Sequence, residues 1–390
     1  MGAGRMSRGS APAPAAAPPP KVGAGLAPTT QTRGGGTRRI RGSKKIVRKD
    51  LPVFSRQMAA MLSAGMPIVA ALETLEEQAS NVNFRQALTN IRKSIENGAS
   101  FSESLMQLPD IFDELYVNMV RSGERSGQFA ETMKRIGDLL EANARLRRKV
   151  TSAMTYPVVV MTLAIAIAIA MIIFIVPVFG SMYADFGRKL PGPTQFLVNL
   201  SNAGKKYAPV IIPAIIAAVF FFRRWKRTAR GAFVMDGVFL KAPVVGVLIQ
   251  KVAIARFART LAQLVHSGVP ILGALEIVAK ASGNLVIGAA IMDARVHVER
   301  GDTISSGLAN KACIPQLLVR MMAAGEKTGK LDEMMENIAD TFDSEVETMV
   351  ASLTSLIEPL LMVFLGVTIG GIVICMFLPI FKMSEVVSKF

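Results

Sequence analysis

The chain has 390 residues, 51% of them apolar, a formal net charge of +16, and only two cysteines and two histidines. His266 and His297 have no Cys or His neighbour at ligand spacing, which excludes a finger-type metal site, and two cysteines in unlike segments exclude a disulfide framework. The positive charge suggests nucleic acid only until it is divided by region: residues 1–50 hold eleven Lys or Arg against Asp50, whereas residues 51–150 hold twelve of each sign.

Residues 1–50 are Ala, Pro, Gly and basic, with almost no large apolar side chain before Ile46. Such a segment buries too little surface to offset its ordering entropy, so it reads as a disordered basic tail able to touch anionic lipid. It has neither the apolar stretch of an export signal nor the aromatic interleaving of a nucleic-acid reader.

From Leu51 the spacing becomes helical. Phe54, Met58, Met61 and Leu62 form one stripe, Gly65 ends that helix, and Pro67 suits the start of the next. A third helix covers about 83–97 and stops at Gly98. Ser100 and Glu103 then spell a capping box. Helices over about 112–123 and 129–149 complete a first bundle of about six helices, assigned to residues 51–152.

An uncharged stretch runs from Val150 to Ala184, a second from Tyr207 to Phe222, and a third from Pro359 to Phe381. The third would span about 34 Å as a helix, enough for a bilayer. These predict transmembrane helices over 155–180, 207–223 and 357–381. The alternating Ala164–Ala170 run would suit a strand in water, but an open strand in lipid leaves its backbone unpaired, so the helix wins. Arg145, Arg147, Arg148 and Lys149 flank the first span, and Arg223, Arg224, Lys226, Arg227 and Arg230 follow the second. Cytoplasmic loops retain such clusters, so the N-terminus is expected in the cytoplasm, 181–206 as a periplasmic loop, and the C-terminus in the periplasm.

The segment beginning Phe54-Ser-Arg-Gln is repeated beginning Phe257-Ala-Arg-Thr, and each copy leads into an apolar stretch. Gly65, Pro67 and Gly98 correspond to Gly268, Pro270 and Gly301. After a one-residue slip, Gly123-Glu124-Arg-Ser-Gly127 meets Gly325-Glu326-Lys-Thr-Gly329, and Pro157 meets Pro359. The second copy, residues 254–354, is therefore a second helical bundle, and it too is placed in the cytoplasm. The fold class is all-α: a polytopic membrane protein with two homologous cytoplasmic bundles and three membrane helices.

The run ending at Lys330 is one residue too short for a phosphate-binding loop and lacks the Ser or Thr after its lysine; the first copy has Gln128 there. It reads as a tight turn in which Ser126 or Thr328 caps the following helix. Glu124 and Glu326 either anchor a helix of their own bundle or present a docking contact. Glu358, beside Pro359 and matched to Tyr156 in the first copy, either anchors at the interface or handles a membrane-embedded partner. Gly366 and Gly370 give small residues four apart and are candidates for helix packing. No Ser, His and Asp arrangement, dinucleotide turn or metal cluster appears, so no cofactor and no catalysis are expected.

The duplicated domain, with Gly-x-Pro-(x)3-Ala-Leu-Glu near its start and Gly-Glu-x-Ser/Thr-Gly near its end, and the span order resemble the inner-membrane platform family of type IV pilus assembly and type II secretion. The run from Ile357-Glu358-Pro359 to Leu378-Pro379-Ile380-Phe381-Lys382 looks more like the pilus branch. The resemblance covers about residues 51–385 and implies a non-enzymatic adaptor. Its bundles would engage a hexameric assembly ATPase. Its spans would contact pilin or pseudopilin subunits and other inner-membrane assembly proteins, and it would self-associate. Driving a pseudopilus for protein export is the alternative; a transporter component would need polar residues within the spans.

Overall fold

The computed structural model describes residues 1–4, 46–185 and 191–387, so most of the basic tail lies outside the described residues. The chain divides into units 1–38 and 39–390; every regular element among the described residues is helical and belongs to the second.

The first copy of the repeat opens with α1 (Leu51–Ser63), α2 (Ile68–Gln78), α3 (Val82–Glu96) and the short α4 (Phe101–Met106). They are followed by α5 (Glu114–Ser126) and α6 (Phe129–Ala170). Asn81 accepts the backbone N–H groups of Asn83 and Phe84 as the cap of α3, and the box of Ser100 and Glu103 closes on α4. Phe54 is the centre of the core, edge-on to Phe84 at 5.5 Å and to Phe112 at 6.4 Å. Burying such a ring stabilises by about 1.5–3 kcal/mol. The buried Ser55 hydroxyl bonds the Tyr116 hydroxyl at 2.9 Å. The second copy has buried Ala258 and Leu318 at these positions, so both polar partners are replaced together, as buried polar groups require.

The bundle does not end at the membrane. Helix α6 runs 42 residues, about 63 Å, from the bundle core into the first apolar stretch without interruption. One π-type turn, Met171–Ile175, joins it to α7 (Val176–Asp185). Helix α8 (Gly192–Lys226) starts well before the expected Tyr207, so the segment 181–206, expected as a loop, is helical at both ends. Pro209 and Pro213 lie inside α8, which bends by 50° where Pro213 removes a backbone donor.

Helix α9 (Ala229–Lys241) then meets α10 (Val245–His266) at 113°. The pair is long and apolar enough to suggest a broken span. However, α10 carries Lys251, Arg256 and Arg259, and Phe257 and Leu261 are wholly buried in the second bundle. That bundle continues with α11 (Ile271–Ala281), α12 (Leu285–Glu299), α13 (Ile304–Leu308) and α14 (Gln316–Thr328). It closes on α15 (Leu331–Val387), a single helix of 57 residues that also contains the third apolar stretch.

Candidate functional site

The repeated Gly-Glu turn lies where α5 hands over to α6, and α14 to α15. Gly127 and Gly329 both hold φ of 71°, the left-handed conformation that ends each helix and that glycine adopts without strain. Gly123 is needed for space: a Cβ there would lie 2.5 Å from Thr132 Oγ1, and one at Gly325 would lie 3.0 Å from Leu331 Cα. Glycine thus lets successive helices approach closely.

The carboxylates reach across the bundle. Glu124 accepts the backbone N–H of Phe101 at 2.7 Å and of Ser102 at 3.2 Å, and so sits on the N-terminus of α4. Glu326 accepts from Ile304 N at 2.5 Å, from Ser305 N at 3.2 Å and from the Ser305 hydroxyl at 2.5 Å, at the N-terminus of α13. A helix start leaves its first N–H groups without intrahelical partners and carries positive potential, so an anion there satisfies both. Ser102 and Ser305 match across the repeat, but their role is invisible until α4 and α5 are neighbours.

Ser126 and Thr328 do not cap the helices after them. Their hydroxyls bond back to Gly123 O at 3.3 Å and Ala324 O at 2.9 Å. Gln128 stands at the start of α6 without a side-chain bond. Lys330 pairs with Glu333 at 3.1 Å, in keeping with a turn and not a phosphate cradle.

A second repeated contact went unread in the sequence. Arg259 bridges from α10 to Asp340 at 2.7 Å and Asp343 at 2.6 Å on α15, and Arg56 of α1 pairs with Glu141 of α6. Both arginines stand in the repeated Phe-x-Arg run, so each copy ties its first helix to its last. The signal was that shared arginine together with carboxylates at 141 and 343.

The two copies meet along α6 and α15. Lys149 pairs with Glu347, Ser122 Oγ donates to Ser267 O at 2.5 Å, and Lys280 reaches Glu114 at 2.7 Å, a hydrogen bond that raises the lysine pKa. Between these helices lies an open cleft of about 390 Å³, lined by Asp138, Arg145, Lys149, Arg259, Asp340 and Glu347 among others. Nearby, burial and then the charge of Arg147 lower the pKa of Arg256. A mixed-charge cleft of this kind can bind or flex. Among the described residues it holds no nucleophile paired with a base.

The other candidates scatter. Pro67 and Pro270 cap α2 and α11, and Gly65, Gly98, Gly268 and Gly301 occupy turns with positive φ. Glu358 is exposed on α15 and has no hydrogen bond or ion pair among the described residues. Pro359 is exposed, whereas Pro157 is buried and faces Leu360 and Leu361 across an apolar groove between α6 and α15. Gly366 and Gly370 have nothing among the described residues within 4 Å of a Cβ built on them.

The family model for type II secretion system protein F matches residues 54–177 and again 257–379, which are the two copies. The chain is 42% identical over 340 residues to a type IV pilus assembly protein of Myxococcus xanthus, covering 87% of this chain and 82% of that one. It is equally similar, 42% over 341 residues, to the corresponding Thermus thermophilus protein, covering 87% and 84%. To a type II secretion system protein F of Aeromonas hydrophila it is 30% identical over 339 residues, covering 87% of each.

Proposed function

The chain belongs to the family of type II secretion system protein F, and from that premise we propose that it is the inner-membrane platform of a type IV pilus, coupling a cytoplasmic assembly ATPase to the insertion of pilin subunits. The observation that carries this reading is mechanical. Each bundle is continuous with an apolar span through one unbroken helix, α6 or α15, and each bundle's first helix is tied to that helix by Arg56 or Arg259. Pro157 and Pro359 each remove one backbone donor, yet α6 and α15 run on through them without a sharp bend, so a displacement applied to a bundle travels into the membrane. Such a device needs no cofactor and catalyses nothing itself.

On this reading both bundles are cytoplasmic handles, domains of about 51–152 and 254–354. The helices of 155–180, 207–223 and 357–381 cross the bacterial inner membrane, and the C-terminus lies in the periplasm. Glu124 and Glu326 hold each bundle's short helix in place, leaving the rest of the turn for docking. The greater identity to pilus assembly proteins than to secretion proteins favours the pilus over a pseudopilus. Deleting the gene is expected to abolish surface pili while proteins continue to reach the medium; loss of secretion with pili intact would reverse the assignment.

Self-association through Gly366 and Gly370 belongs to the same proposal. Because nothing among the described residues lies within 4 Å of a Cβ built there, Gly370→Leu should leave the fold alone and weaken oligomers in detergent. Unchanged cross-linking would remove the surface from consideration.

A further inference from the structure

We propose that α9 is an interfacial helix that lies flat on the cytoplasmic surface of the membrane and takes acidic phospholipid as its partner. The inference rests on the membrane reading of α8 and goes beyond it. Helix α9 exposes Phe233, Val234 and Val238 on one stripe, each at least 46% accessible, with Arg230 and Lys241 at its two ends, while Phe239, 39% accessible, lies off that stripe. The apolar surface continues into Val244, Val245 and Val247 at the start of α10, all exposed. A contiguous apolar patch of this kind in water calls for a partner.

Three observations place that partner in the bilayer. First, α9 follows α8 after only Arg227 and Thr228, where Thr228 Oγ1 caps the new helix at Gly231 N, 3.1 Å away. It therefore begins at the basic mouth of a span, beside Arg223, Arg224, Trp225 and Lys226, with Lys226 Nζ 5.6 Å from the Phe239 ring. Second, α10 runs antiparallel to α15, since Arg259 meets Asp343 and Lys251 meets Glu345. The α9–α10 corner consequently points along α15 toward Pro359, where the third apolar stretch starts. Third, the one acidic residue of α9, Asp236, is turned inward: its carboxylate accepts the backbone N–H of Leu285 at 2.8 Å and pins α9 to the N-terminus of α12. What faces outward is apolar and basic, the composition that seats a helix at the headgroup boundary of anionic lipid. The 113° corner then holds the second bundle against the membrane.

Trp225 is the sole tryptophan, which gives a direct test. The full chain is reconstituted in vesicles containing acidic phospholipid brominated near the headgroup end of the acyl chain. Wild-type Trp225 reports the mouth of the span. In a Trp225→Phe background, Phe233→Trp and Val238→Trp report α9. Met66→Trp is the control: its turn matches the one after α10, where His266 pairs with Asp332 at the start of α15, so by the repeat it lies at the end of the first bundle away from Val150. Phe233→Trp and Val238→Trp are expected to lose about half their emission to the bromolipid, as a face seated roughly 5–10 Å into the boundary should, while Met66→Trp is unaffected. If Trp225 is quenched but both α9 reporters are reached only by aqueous iodide, the helix stands in water and the proposal fails. Protection from both quenchers would mean that protein, such as a second copy, covers the face, and would also overturn it. An unquenched Trp225 would instead count against the membrane reading of α8.

Discussion

Glu326→Ala is expected to destabilise the second bundle by about 2–4 kcal/mol, since a hydrogen bond to a charged group contributes roughly 1.5–3 kcal/mol. The carboxylate holds two backbone N–H groups and one hydroxyl, and the residues donating them, Ile304 and Ser305, are buried. Without the carboxylate those buried donors lose their partner, so the loss includes part of their desolvation. Glu124→Ala should cost the first bundle a similar amount, because it strands the N–H groups of buried Phe101 and Ser102. Glutamine at either position retains one oxygen and should recover about half of the effect. Thermal denaturation of the full chain in detergent reads this directly, and an unshifted midpoint for both alanine variants would show that the caps do not hold the bundles. A glutamine variant that melts like wild type yet makes no pili would identify the turn as a docking contact instead.

The arginine clasp yields an asymmetric result from a symmetric sequence. Arg259→Ala should cost about 3 kcal/mol, in the range for breaking a buried ion pair, whereas Arg56→Ala should cost under about 1 kcal/mol, as exposed pairs do. The difference comes from burial. Arg259 is 12% exposed and Asp343 21%, against 59% for Arg56 and 31% for Glu141. Asp343 Oδ1 already lacks a partner among the described residues, so removing Arg259 leaves an uncompensated carboxylate inside the bundle. Asp343→Asn combined with Arg259→Ala should recover much of the loss. Equal midpoints for the two single arginine variants would contradict the argument.

Much of the fold could be read from the chain because its signals are local. Apolar spacing gave the helices to within a few residues, as with α3 over Val82–Glu96 against an expected 83–97. A glycine at positive φ closes a helix wherever it stands, and a capping box satisfies backbone donors within four residues of itself. The repeat added a comparison that separated shared architecture, such as Gly123 and Gly325, from single-copy features such as Lys330 and Glu358. Helix α8 begins before the uncharged stretch that bounds the expected span, because a helix that projects beyond a bilayer can carry lysine, here Lys205 and Lys206.

What the sequence by itself determined, then, is everything fixed by neighbours along the chain: helices, their ends, uncharged spans and the duplication. The tertiary structure decided which distant atoms each charge would find. Glu124 and Glu326 could be located as a pair but not assigned to α4 and α13, because their partners lie more than twenty residues away and become neighbours only when helices cross. Arg259 and Asp343 are separated by still more chain, and the outward face of α9 is defined only once Asp236 has turned inward to Leu285. Side-chain direction follows from local backbone geometry, but what stands in that direction is set by packing.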